Sequence, residues 1–317
     1  MPNQLNSLYL IVLAWLASTL GFFLTQMGSP TLPPIAVEAV SSLLFAYFPV
    51  LVLCVFLLLY LTRSRDEFDW ESLYQVKKDN ARAEVLAVFA YLLVTQLILG
   101  LYFDIGLHFP GPHVYELGSF AFKHVLLWML VNSIVYVLFP LFWLRRAGLN
   151  IGEFMRALQW RRNIWILFPF WALDFFGPII GGVPFFALTA EQYAIGIPTS
   201  ILVNTFGAGL PVVILMHVVL IPRLMLIYES KLTVISIAGL FYAVFSLFDP
   251  GVDYSNLNMA TLSVAYIVMT QVLVGMGKAT FTVVTANPFI HFATLHVLSA
   301  RVPLDTAMYA EIFKNLA

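Results

Sequence analysis

Long apolar runs recur along the chain, at 7–26, 35–61, 84–103, 121–144, 164–180, 201–228, 232–248 and 260–284. A helix rises about 1.5 Å per residue and the hydrocarbon of a bilayer is about 30 Å thick, so about 20 consecutive apolar residues suffice for one crossing. The strands of a closed barrel would be about 10 residues long and would alternate in polarity, unlike these runs. The pattern therefore predicts an all-α fold, a polytopic transmembrane helix bundle of about eight spans. A shorter apolar stretch at 287–300 predicts a short C-terminal membrane helix, tilted or re-entrant, of marginal length for crossing. The first run lacks a basic leader region and a small-residue cleavage site, and is read as part of the mature protein.

The polar intervals set an orientation. Arg63, Arg65, Lys77, Lys78 and Arg82 fall in 62–83, and Arg145, Arg146, Arg156, Arg161 and Arg162 fall in 145–163. The loops at 27–34, 104–120, 177–200 and 249–259 carry no Lys or Arg. Basic loops are retained on the cytoplasmic side, so both basic intervals, and with them the N-terminus, are expected there. Each basic interval also mixes apolar with charged residues in the manner of a helix lying on the membrane surface. Composition agrees with this: 61% of residues are hydrophobic and 10% charged, too few charges for a water-soluble surface, and membrane lipids are the expected surroundings. Nothing points to a nucleic-acid partner. No linker or repeat divides the chain. It is read as N-terminal transmembrane helices with a cytoplasmic interfacial loop over 1–147, then a core and short tail over 148–317.

An ionisable group at the centre of a bilayer costs at least about 2.5 kcal/mol, which makes each one a candidate site. Asp174 stands in Trp-Ala-Leu-Asp-Phe-Phe-Gly-Pro, where the helix is expected to break at Gly177-Pro178; a structural and a functional role are both open to it. His217 and Arg223 lie on the sixth run and Lys278 on the eighth. Arg223 and Lys278 are near enough to a run's end to snorkel toward the headgroups. Glu38 opens the second run, where a helix dipole favours an anion. His291 and His296 are five residues apart, about 140° around a helix, so the two do not share a face. His108, His113 and Glu116 in the outer loop are metal-ligand types, but the Pro-Gly-Pro turn between the two histidines leaves their geometry unread, and no metal or other cofactor is expected. Gly207-Ala-Gly209 and Gly275-Met-Gly277 are small-residue pairs of the kind that let helices approach closely.

The stretch from Leu210 to Arg223 resembles the motif helix of the CPBP family, which includes the CAAX prenyl proteases and the bacteriocin-processing enzymes. Where that family carries Glu-Glu-x-x-x-Arg, this chain has Val218-Val219-Leu220-Ile221-Pro222-Arg223. The next family motif, an aromatic residue followed four positions later by histidine, is matched by Tyr242 and Ser246, or in a shifted register by Phe245 and Asp249. The third, a histidine followed four positions later by Asn or Asp, is similar to the approach from Thr285 to His296, with Ala300 at the final position. The likeness covers roughly 148–300. It implies a protease scaffold in which glutamate activates water while histidines and an amide bind metal or stabilise the oxyanion.

Valine can neither take a proton from water nor bind a metal, so the resemblance implies a chain with no catalytic residue, retaining Arg223 and His296. The expected function is a non-enzymatic scaffold, accessory subunit or assembly factor of a membrane complex, with another integral membrane protein as its partner. A secondary transporter or channel is the alternative, with Asp174, His217, Arg223 and His296 as the polar intramembrane candidates, and an intramembrane metalloprotease is third.

Overall fold

The computed structural model describes residues 2–28, 48–65, 67–103, 105–107, 122–180, 182–249, 252–296 and 301–314; the side chains of 2–12, 27, 28, 295 and 296 fall outside the described set. The fold is all-α, with no strand among the described residues. Its helices are α1 (Pro2–Gly28), α2 (Phe48–Thr62), α3 (Trp70–Tyr74), α4 (Ala81–Phe103), α5 (Phe122–Arg146), α6 (Ile151–Ala157), α7 (Trp160–Ile180), α8 (Ala190–Ile227), α9 (Lys231–Ser246), α10 (Leu257–Thr285), α11 (288–296) and α12 (Arg301–Phe313). Each of the eight apolar runs overlaps a helix, the second over 48–61 only, since 35–47 lie outside the described residues. The segment containing α4, together with α5, α7, α8 and α10, is long and apolar enough to cross a bilayer, which makes this an integral membrane protein, while α1, α2 and α9 supply shorter apolar stretches.

Helix starts follow from local chemistry. Thr189 opens α8 with a reciprocal capping box: its hydroxyl accepts from the Gln192 N–H at 3.2 Å, and the Gln192 side chain accepts from the Thr189 N–H at 2.9 Å. Asp69, Asn150, Ser230 and Asn287 cap α3, α6, α9 and α11 in the same acceptor role. Because of the Thr189 cap, α8 begins at Ala190, well before the 201–228 run, inside what the sequence assigns to an outer loop. Its 38 residues reach at most about 57 Å at about 1.5 Å per residue, nearly twice what the hydrocarbon requires. Pro198 does not stop it, since the flanking turns continue through α-helical and then π-helical geometry.

One further expectation is corrected and two are given detail. The helix around Asp174 does not break at Gly177-Pro178: α7 runs on to Ile180, because Pro178 lies so near the end that only the carbonyl of Asp174, four residues earlier, forgoes an intrahelical donor. In the interval 62–83 the short amphipathic helix is α3, ended by Gln75 at a left-handed φ of 52° and followed by a 3-10 turn at Lys78–Asn80. The C-terminal tail contains α12, whose Val302, Met308, Tyr309 and Phe313 are buried. The 287–300 element is seen as α11, and 297–300 lie outside the described residues.

The chain divides into two compact units that interleave along the sequence. In the first, Met1–His113 with Val219–Val284, the Phe22 ring of α1 packs on Leu262, Ala265, Tyr266 and Met269 of α10, and the Trp15 indole donates to the Met269 carbonyl at 2.9 Å. Helices α9 and α10 approach through glycine: a Cβ on Gly239 would fall 2.6 Å from the Val272 carbonyl oxygen. In the second unit, Val114–Val218 with Thr285–Ala317, α12 lies along the first half of α8. Gly196 makes that approach possible, since a Cβ there would sit 2.1 Å from the Thr306 carbonyl oxygen. Of the five spanning candidates α8 is the most enclosed, with 78% of its most apolar window buried against 17% for α7.

Candidate functional site

The second unit is rich in π-helical geometry, at Ser133–Leu138 in α5, Thr205–Gly209 and Val213–Leu220 in α8, and Phe292–His296 in α11. Widened turns of this kind are concentrated at functional sites, because each displaces a side chain from its regular helical register. Here the displaced registers bring two histidines together. His217, within the second π segment of α8, and His291, immediately before that of α11, are both fully buried, with ring centroids 4.2 Å apart and planes inclined by 22°. The two imidazoles are therefore stacked face to face rather than arranged edge to face.

The surrounding helices are fixed by amides. The Asn132 side chain donates to the Gly207 carbonyl at 2.7 Å, joining α5 to the first π segment of α8. Gly207 presses on the Trp128 ring so closely that a Cβ would fall 1.8 Å from a ring carbon. Asn287 caps α11 through its side-chain oxygen and donates to the Leu158 carbonyl at 3.0 Å, and Asn163 donates to the same carbonyl at 3.1 Å. Further along the unit, the Asn204 amide donates to Asp305 at 3.0 Å, and the Arg301 guanidinium stands 3.7 Å from the same carboxylate. Burial pushes the Asp305 carboxyl above the usual carboxylate range, against the opposing pull of Arg301 and Asn204.

In the first unit, the polar groups are held by opposite charge or by an aromatic ring. Arg223 is almost fully buried; its Nε donates to the Glu84 carboxylate at 2.6 Å and its Nη1 to the Val219 carbonyl at 2.8 Å. It does not snorkel, because an anion is available inside the packing. Lys278 is likewise buried, with its ammonium 4.4 Å from the centre of the Tyr242 ring and donating to the Tyr242 hydroxyl, so the headgroup-facing position expected for it is also corrected. Ser246 donates its hydroxyl to the Tyr242 carbonyl at 3.1 Å, an ordinary helix back-bond.

Among the candidates named from the sequence, His217 lies in the buried imidazole pair, Arg223 in the ion pair, and Asp174 stands half-buried on α7. His296 ends α11, but its side chain lies outside the described residues, as do His108, His113, Glu116 and Glu38 altogether. Val218 and Val219 are closed into the packed interior. Among the described residues, no group of three or more His, Cys, Asp or Glu side chains is placed to hold a metal ion. Sequence reasoning tested His291 only against His296 and so missed its actual neighbour, which lies on a distant helix. Glu84 was missed because it stands at the edge of an apolar run. Compared with protein-family models, with curated proteins and with solved structures, the chain matches none.

Proposed function

We propose that the protein is a non-enzymatic integral membrane protein, a scaffold, accessory subunit or assembly factor for another integral membrane protein, built on a core that resembles the CPBP proteases. Its N-terminus is cytoplasmic in this reading, with the basic intervals 62–83 and 145–163 on the same side. The observation that carries it is the state of the motif helix. Val218 and Val219, at the positions of the family's two glutamates, are buried among apolar neighbours, and the retained Arg223 is engaged by Glu84 and the Val219 carbonyl. A buried arginine committed to an ion pair serves packing, and valine supplies no base. Outward-facing aromatics on α7, including Trp165, Phe168, Trp171 and Phe176, offer a broad apolar surface to a neighbouring helix or to lipid.

The test is gentle purification of the tagged chain from its own membranes followed by mass spectrometry and measurement of stoichiometry. A membrane protein recovered at fixed ratio, whose abundance falls when this chain is deleted, is the expected result. Recovery of the chain alone, with no membrane protein depleted on deletion, would refute the reading.

Transport is the second reading, and the stacking of His217, on a π-helical turn of a spanning candidate, against His291 of α11 favours it. It requires solute uptake into proteoliposomes that is lost on His217→Gln or Asp174→Asn. Intramembrane proteolysis ranks below both for want of a carboxylate at the motif positions.

A further inference from the structure

The connector between α5 and α7 differs in charge from the other basic interval. Residues 145–162 hold five arginines against a single acidic residue, Glu153, whereas in 62–83 the basic residues are balanced by Asp66, Glu67, Asp69, Glu71 and Asp79. Arg145, Arg146, Arg156, Arg161 and Arg162 are all exposed. Two of them, Arg161 and Arg162, occupy the first turn of α7, the end at which the helix dipole disfavours cations. With Glu153 the one acidic residue against the five arginines, the interval keeps a net charge of +4.

The backbone shapes the same region into a receptacle. Gly148 turns the chain out of α5 with a φ of 108°, Asn150 caps α6, and Gln159 turns it again with a φ of 47° before α7 begins. Beneath α6, Leu149, Phe154 and Leu158 are buried, and Asn163 and Asn287 both tie down the Leu158 carbonyl, so the turn is held on a firm base. A concavity of about 550 Å³ opens here, lined by Arg145 and by the turn from Gly148 to Gly152. Arg156 is not among the lining residues, but it donates its Nε–H at 3.1 Å to the carbonyl of Gly152, which is, so a second guanidinium stands next to the lining. Its position identifies the occupant. The connector joins two helices long and apolar enough to cross the bilayer, with Trp143 at the end of one and Trp160 at the start of the other, and tryptophan favours the level of the lipid headgroups.

From this placement we propose that the α5–α7 connector is a binding site for the phosphate of an anionic lipid headgroup, gripped by Arg145 and Arg156. A guanidinium suits a phosphate because its planar fork donates two parallel hydrogen bonds to two oxygens. This inference is independent of whether the protein is a scaffold or a transporter.

The experiment places the full chain in nanodiscs of phosphatidylcholine containing a minor share of phosphatidylglycerol and measures the lipids retained by native mass spectrometry. The wild type is expected to retain phosphatidylglycerol well above its share of the bilayer. The double variant Arg145→Gln/Arg156→Gln is expected to weaken that preference about tenfold or more, since each basic residue at a membrane surface contributes about a fivefold share of the attraction. The control Arg63→Gln/Arg82→Gln, in the charge-balanced interval, is expected to leave it intact. Retention unchanged in the connector variant would overturn the proposal, as would displacement of the lipid by inorganic phosphate, which would mark a site for a soluble phosphate. If the double variant fails to fold, salt titration of the wild type decides: the preference must fall as ionic strength rises, and a salt-independent preference would overturn it.

Discussion

Arg223 and His217 stand on the same long helix, both buried, and the structure uses them in opposite ways. Arg223 belongs to the unit in which buried charge meets opposite charge, and its ion pair with Glu84 leaves little to be explained beyond packing. His217 belongs to the π-helical unit, where its neighbour is a second imidazole on α11. Two rings of the same kind stacked in an interior add little stability that a pair of apolar rings could not match. The contrast teaches that burial alone does not mark a functional residue in a membrane protein: the chemistry of the partner does.

Breaking the ion pair is the strongest test of that contrast. Glu84→Ala leaves the Arg223 guanidinium buried without its anion and should cost about 3 kcal/mol, read as a lower unfolding midpoint in detergent. The double replacement Arg223→Met/Glu84→Met should recover most of the loss, because no unpaired charge remains. A Glu84→Ala chain as stable as wild type would remove Arg223 from the structural side of the comparison.

A smaller loss is expected on the other side from the glycine that lets α5 and α8 meet. Gly207→Val drives a side chain into Trp128 and should destabilise by about 2 kcal/mol, with a shift in tryptophan emission as the ring is displaced. Asn204→Ala removes a donor from the buried Asp305 carboxylate and should cost about 1.5 kcal/mol by the same unfolding assay. The smallest stability effect belongs to the imidazole pair itself: His217→Gln should change unfolding by about 1 kcal/mol or less, a value typical of a substitution that leaves no cavity or unpaired charge. A loss as large as that of Glu84→Ala would place His217 with Arg223 as a structural residue and weaken the transport reading.

The apolar runs and the basic intervals were legible in the sequence because each is a local property. The pairing of Thr189 with Gln192 is local as well, yet hydropathy assigns 177–200 to an outer loop, and only the structure shows the helix starting there. Helix α12 was not legible, because Arg301, Asp305 and Glu311 dilute its hydropathy below that of a membrane run, and its burial comes from lying along Gly196 of α8. The left-handed turn at Gln75, which ends α3, is a conformation that few residues other than glycine adopt and so left no signal in the sequence. His217 and His291 each read as an isolated histidine in an apolar run, and neither run contains any trace of the other.

Hydropathy and charge distribution by themselves determined that this is an all-α membrane protein, where its apolar helices lie, and that arginine is concentrated between α5 and α7. Those follow from transfer free energies, which each residue contributes wherever its neighbours happen to be. Only the tertiary structure decided that Arg223 meets Glu84, that Lys278 lies over Tyr242, and that His217 stacks on His291. Such pairings depend on which helices pack together and on where π turns rotate a side chain out of register, and both are settled by the fit of whole surfaces rather than by the composition of any one segment.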